Sequence, residues 1–138
     1  VTPLADIEAR LDRLESAGPT AADAAGLLAL SEEVLEHWVS ARGEQPTVEK
    51  REGFRLLALH RQGCRDLPSF NACRETCREL VYHHNLLVQE TDGTAATKHA
   101  RMMVLLVRHL YLFVTGKLQV EKLGEFCCAS RPLRQEAG

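Results

Sequence analysis

The sequence predicts an all-α protein, an up-and-down antiparallel helical bundle of about five helices with a short sixth helix near the C-terminus. Three observations predict it. Leu and Ala together supply 37 of the 138 residues while β-branched Ile occurs once, at Ile7, so local preference leans towards helix. Apolar residues recur three and four positions apart in one segment after another, as on a helix with one buried face. Gly, Pro and capping residues separate these segments by short connections, which join antiparallel neighbours. One domain is expected over residues 1–130, followed by a polar, Pro-containing tail at 131–138.

Each element follows from its own signals. Thr2 and Pro3 read as an N-cap and first helical position, and Leu4, Ile7, Leu11 and Leu14 carry helix one to Gly18. Thr20 caps helix two, whose stripe of Leu27, Leu30, Val34 and Trp38 is widened by Leu28, Leu35 and Val39 and ends at Gly43. A turn over Gly43 to Pro46 leads to Thr47 as the cap of helix three, expected from Val48 to Gln62 with Phe54, Leu56, Leu57 and Leu59 inward and Gly63 as its stop. Asp66, Leu67 and Pro68 break the chain. Ser69 then caps helix four, which carries Phe70, Cys73, Cys77, Leu80, Val81, His84, Leu87 and Val88 as far as Asp92 and Gly93. Helix five, from about Thr94 to Thr115, is apolar almost all the way round over Met102–Val107 and Leu110–Val114, which places it at the bundle centre or in an oligomer interface. Gly116 is expected to end it, and Leu118, Val120, Leu123 and Phe126 make the short sixth helix.

Composition narrows the function classes. Charged residues at 26% and apolar residues at 45% describe a chain that buries a core. The net charge is −2, but residues 1–46 carry nine acids against three bases and residues 94–134 carry seven bases against two acids, so the two ends attract each other or a partner. A whole-chain charge near zero argues against a dedicated nucleic-acid binder. An odd count of five cysteines is not a paired disulfide framework and favours a reducing, cytoplasmic setting. The first 30 residues lack a basic start followed by an apolar block, and the run Met102–Val114 is interrupted by Arg108 and His109, so neither a signal peptide nor a membrane span is expected.

Enzyme signatures such as a Gly-rich phosphate loop, H-E-x-x-H, C-x-x-C or a Ser elbow are absent, which points away from an enzyme. His and Cys side chains on core-facing stripes remain. Cys73 and Cys77 share one helical face, and folding the chain about Asp66 and about Gly93 brings His60 and His109 towards their level. A Cys2His2 set of His60, Cys73, Cys77 and His109 offers the N and S donors that a transition metal such as zinc prefers; the plain alternative is a packed core of small thiols. His83 and His84 are adjacent, and only His84 shares the core stripe. Vicinal Cys127 and Cys128 precede the basic Arg131 and Arg134, which suits a redox-sensitive thiol. Arginine outnumbers lysine 13 to 4, and Arg51, Arg55, Arg61, Arg65, Arg74 and Arg78 alternate with Glu49, Glu52, Glu75 and Glu79, which predicts a solvated, ion-paired face.

Arg55 with His60, and Arg78 with His83, are each separated by four residues. This spacing resembles the Arg-x4-x6-His signature of HEPN domains, all-helical bundles whose dimers cleave RNA. The resemblance covers six residues at each place, and Leu56 and Glu79 stand where such motifs carry a different polar residue. It implies a dimeric ribonuclease.

The leading expectation is an interaction or regulatory protein that binds another macromolecule through an apolar face, either as a homodimer or with a protein partner. Met102, Met103, Leu106, Leu110 and Phe113 of helix five are the candidate interface. A metal- or thiol-based sensor is the first alternative and the HEPN-like ribonuclease the second.

Overall fold

The computed structural model describes residues 2–121. Among them are five α-helices: α1 (Leu4–Ala17), α2 (Ala24–Ala41), α3 (Arg55–Cys64), α4 (Asn71–Gln89) and α5 (Gly93–Val120). Single 3-10 turns at Ala21–Asp23 and Pro68–Phe70 lead into α2 and α4. The described residues contain no strand, only an isolated bridge between Arg51 and Phe54. The chain is all-α.

Helix α5 packs against α4, α2 and α1, and α3 fills the side between α2 and α4. The direction of each pair follows from its side-chain contacts. Phe70 meets Phe113 while His83 meets His99, so α4 and α5 run in opposite directions. Phe54 meets His84 while His60 reaches the Phe70 carbonyl, so α3 and α4 are also opposed. Between α2 and α3 the contacts advance together. Glu32 and Glu36 hold Arg55 at the start of α3, and Trp38 holds Gly63 near its end. That step is not the antiparallel hairpin expected of an up-and-down chain.

The reason lies in residues 42–54. Glu52 and Gly53 adopt left-handed backbone, φ 54° and 87°, and close a turn bridged by Arg51 and Phe54, which prevents a helix from starting at Val48. Thr47 is not a helix cap. Its N–H donates to Gln62 Oε1 at 2.8 Å, Gln62 Nε2 donates back to the Gln45 carbonyl, and Arg55 Nε donates to the Thr47 carbonyl. The strap therefore lies along α3, and the helix is shorter than its apolar pattern suggested.

Other boundaries show which local signals act. Thr20 caps as expected, but it caps the 3-10 turn that leads into α2, where it forms a reciprocal capping box with Asp23. Thr2 does not cap α1. Its hydroxyl donates to Glu33 of α2, and its carbonyl accepts from His37 Nε2 at 2.7 Å. Ser69 does not cap α4, because Pro68 already opens the turn before it. Asp92 caps α5 by accepting from Thr94 N–H. Gly63 and Gly116 lie inside helices instead of ending them, so α5 runs unbroken to Val120 and takes in Leu118 and Val120. Leu123 and Phe126, the rest of the expected sixth helix, lie outside the described residues, as does the 131–138 tail.

With 28 residues α5 is long and apolar enough, by length and composition alone, to cross a bilayer, which is more than its interrupted apolar run suggested. Much of that surface is buried by its neighbours. Met103, Val104, Val107, Leu110, Val114 and Leu118 are buried against the rest of the chain, as in a core helix.

Candidate functional site

The chemistry-bearing residues gather where α3 meets α4. His60 and Cys64 stand one turn apart on α3, and Cys73 and Cys77 one turn apart on α4, so two antiparallel helices each present two donors to their seam. All four are buried. Cys64, Cys73 and Cys77 are free thiols. Cys73 is the hub. Its thiol is held below the ordinary value because Cys64, then Cys77, hydrogen-bond to it, with His60 adding to the effect against burial. Cys64 and Cys77 are pushed up, first by those same bonds to Cys73 and then by burial. The His60 ring nitrogen Nε2 also bonds to the Phe70 carbonyl at 3.3 Å.

Cys64 thus stands where His109 was expected. His109 is exposed on α5 and does not join the cluster, because the α5 residues beside it that turn inward are Leu106 and Leu110. No group of three or more His, Cys, Asp or Glu side chains among the described residues is arranged to hold a metal ion, so the Cys2His2 site is not formed. A signal for Cys64 was present in the chain, since it falls four residues after His60 as Cys77 falls four after Cys73. Cys127 and Cys128 lie outside the described residues.

His83 Nδ1 and His99 Nδ1 are 3.0 Å apart across the α4–α5 seam. Burial, then the neighbouring His99 charge, holds His83 below the usual imidazole value, with Glu79 opposing. His84 is half-buried with its ring edge on Phe54, and its Nδ1 is buried without a hydrogen-bond partner.

The two Arg and His pairs that resemble the HEPN signature are each drawn apart. Arg55 turns to α2, where it pairs with Glu36 at 3.1 Å and Glu32 at 3.7 Å, while His60 turns to α4. Burial raises the Glu32 carboxyl, and Arg55 opposes that rise. Arg78 pairs with Glu52 at 3.1 Å, and His83 faces His99.

The candidate interface on α5 needs correction. Met103, Leu106 and Leu110 are buried in the chain's own core, and Phe113 is half-buried edge-on to Phe70 at 5.0 Å. Of the five expected residues only Met102, at 40%, is exposed. The outward apolar residues are Met102, Leu105, Leu112 and Val120, with Leu105 and Leu112 more than half exposed. Water therefore reaches one flank of a helix that the sequence alone presents as apolar all round.

Comparison of the chain with family profiles, with curated proteins and with solved structures finds no match.

Proposed function

We propose that this chain is a small helical-bundle interaction protein that pairs with a second copy of itself through the outer face of α5. The observation that carries it is the order of that face. Lys98, Met102, Leu105, His109, Leu112, Gly116 and Val120 follow one another at steps of three and four, a straight stripe along the helix. Scattered apolar residues on a surface are ordinary, but an aligned row marks a binding face. The row is also close to symmetric about His109. In an antiparallel pair crossing there, Leu105 lies opposite the partner's Leu112 and Met102 opposite the partner's Gly116, a long side chain against none. Lys98 then approaches the partner's Glu121, so the ends match in charge. Within each copy, α1, α2, α4 and α5 alternate in direction, with α3 following α2. Free Cys64, Cys73 and Cys77 favour a reducing compartment such as the cytoplasm.

Sedimentation equilibrium tests this. The wild-type chain is expected at twice its 15.4 kDa mass, and the double variant Leu105→Glu, Leu112→Glu as a folded monomer, since both positions face water in the single chain. A monomeric wild type at high micromolar concentration, or a double variant that still pairs, overturns the proposal.

A thiol sensor is the second reading, favoured by the contacts of Cys73 with Cys64 and Cys77. Hydrogen peroxide would take two electrons from Cys64 and Cys73, joining their sulfurs and leaving two waters. Peptide mapping after one equivalent of peroxide is expected to find the Cys64–Cys73 link with Cys77 still free; three unchanged thiols rule the sensor out.

A further inference from the structure

Above the thiols, at the junction of α3 and α4, lies a cavity of about 280 Å³. Arg51, Arg61, Arg65, Arg74 and Arg78 line it, with Asp66 as the one carboxylate in its wall. Glu75 pairs with Arg74 and Glu52 with Arg78. Arg51, Arg61 and Arg65 make no ion pair to any described residue. The alternation of acids and bases along the chain therefore does not neutralise this wall. Three arginines without an ion-pair partner among the described residues thus line one space, and their like charges raise its positive potential.

We propose that this cavity binds a small phosphorylated molecule, such as a phosphate monoester or a diphosphate. Planar guanidinium forks match phosphoryl oxygens in pairs, which a lysine cannot do. Asn71, the first residue of the 19-residue helix α4, lines the same space, so the N-terminal end of that helix borders it. The left-handed turn at Asp66, φ 67°, lets the chain reverse there and holds Arg61 and Arg65 of the α3 end near that helix start. The floor formed by His60, Cys64 and Cys77 has no carboxylate.

Size and surroundings select a small ligand over a polymer. Outside the cavity lining the exposed Glu49, and Glu52 and Glu75 in their pairs with Arg78 and Arg74, interrupt the run of positive charge that an extended phosphate backbone would need. A neighbouring recess of about 450 Å³ shares Arg51, Arg61 and Arg65 and adds Lys50, but it also adds two carboxylates, Glu44 and Glu49, against the single Asp66 on the α4 side, so the site is placed on the α4 side. This site is separate from the α5 face and goes beyond the self-association proposed above.

Isothermal titration with inorganic pyrophosphate tests it. Saturable binding is expected for the wild-type chain and is expected to weaken at least about tenfold in the double variant Arg61→Ala, Arg65→Ala. Both residues are exposed, so the fold is retained, which the helical circular dichroism of the variant checks. Arg13→Ala, an exposed arginine on α1 at a distance in the fold, is expected to bind as the wild type does. The proposal is overturned if pyrophosphate shows no saturable binding at millimolar concentration, or if Arg13→Ala weakens it equally. It is also overturned if a single-stranded oligonucleotide binds more tightly than pyrophosphate with the same dependence on Arg61 and Arg65.

Discussion

Among the described glycines, Gly63 leaves the least room for a side chain. Trp38, fully buried, donates from Nε1 to the Gly63 carbonyl at 2.8 Å, and that carbonyl lies in the last turn of α3, where no intrahelical N–H follows to claim it. A Cβ at Gly63 would stand 2.8 Å from Val39 Cγ2 and 2.9 Å from Trp38 Cδ1. Two helices approach there because one of them has no side chain. Gly63→Ala is expected to destabilise by about 1–3 kcal/mol, since neither a buried indole nor a buried valine can move aside freely. Gly26→Ala is its counterpart in α2, where the nearest atom is the flexible Arg10 guanidinium at 3.2 Å. There the gain in helix propensity is expected to stabilise by roughly 0.5–1 kcal/mol. Urea denaturation of the two variants beside the wild type checks both signs; a Gly63→Ala chain as stable as the wild type would mean that the α2–α3 seam yields.

At the scale of the elements, the α4–α5 pair carries a titrating contact. The fold holds His83 below its ordinary value by burial and by His99, whereas the unfolded chain takes up protons near the usual imidazole range. Above that range both states leave His83 neutral and the contact is intact. As pH falls below about 6.5 the unfolded chain binds more protons than the folded one, so stability declines with acidification. The melting temperature is therefore expected to drop between about pH 7.5 and about pH 5.5, and His83→Asn is expected to flatten part of that drop. Equal slopes in the two proteins would place the pH dependence elsewhere. The same pair shows how unequally local signals set the ends of a helix. Asp92 caps α5 as its chemistry suggests, but Gly116 does not stop it, because a glycine inside a long helix costs only about 1 kcal/mol when its neighbours are packed.

For the molecule as a whole, one helix has two tasks. Met103, Val107, Leu110 and Val114 bury the inner flank of α5 under α1, α2 and α4, while Met102, Leu105 and Leu112 leave the outer flank apolar and wet. If the outer flank is closed by a second copy, folding and pairing are linked, and the melting temperature of the wild-type chain rises with protein concentration while that of the Leu105→Glu, Leu112→Glu variant does not. At one edge of this flank Arg108 bonds to Asp12 at 2.8 Å and Glu15 at 3.3 Å, tying α5 to α1 and joining the basic end of the chain to its acidic beginning. The uneven charge along the sequence is thus used, at least in part, inside the chain.

The helical class and most of the inward faces of α1, α2 and α4 were legible in the chain, because an apolar stripe with one polar side admits only one orientation towards a core; Val88, at the end of the α4 stripe, is the exception and is exposed. Ile7 and Leu11, Leu27 and Val34, and Cys73 and Leu80 are all buried as their spacing requires. The short loop between α3 and α4 also offered His60, Cys73 and Cys77 as candidates for one level of the bundle, and the structure brings all three to the α3–α4 seam. Only the tertiary structure decided that Cys64 and not His109 completes that cluster, and that Leu105 and not Leu106 faces water. A helix apolar on every side has no period from which a direction can be taken, so its orientation is set by the neighbours that cover it. The course of residues 42–54 was likewise decided by partners far along the chain, Gln62 and Arg55, whose bonds to the strap compete with the helix that Val48–Gln62 would otherwise form.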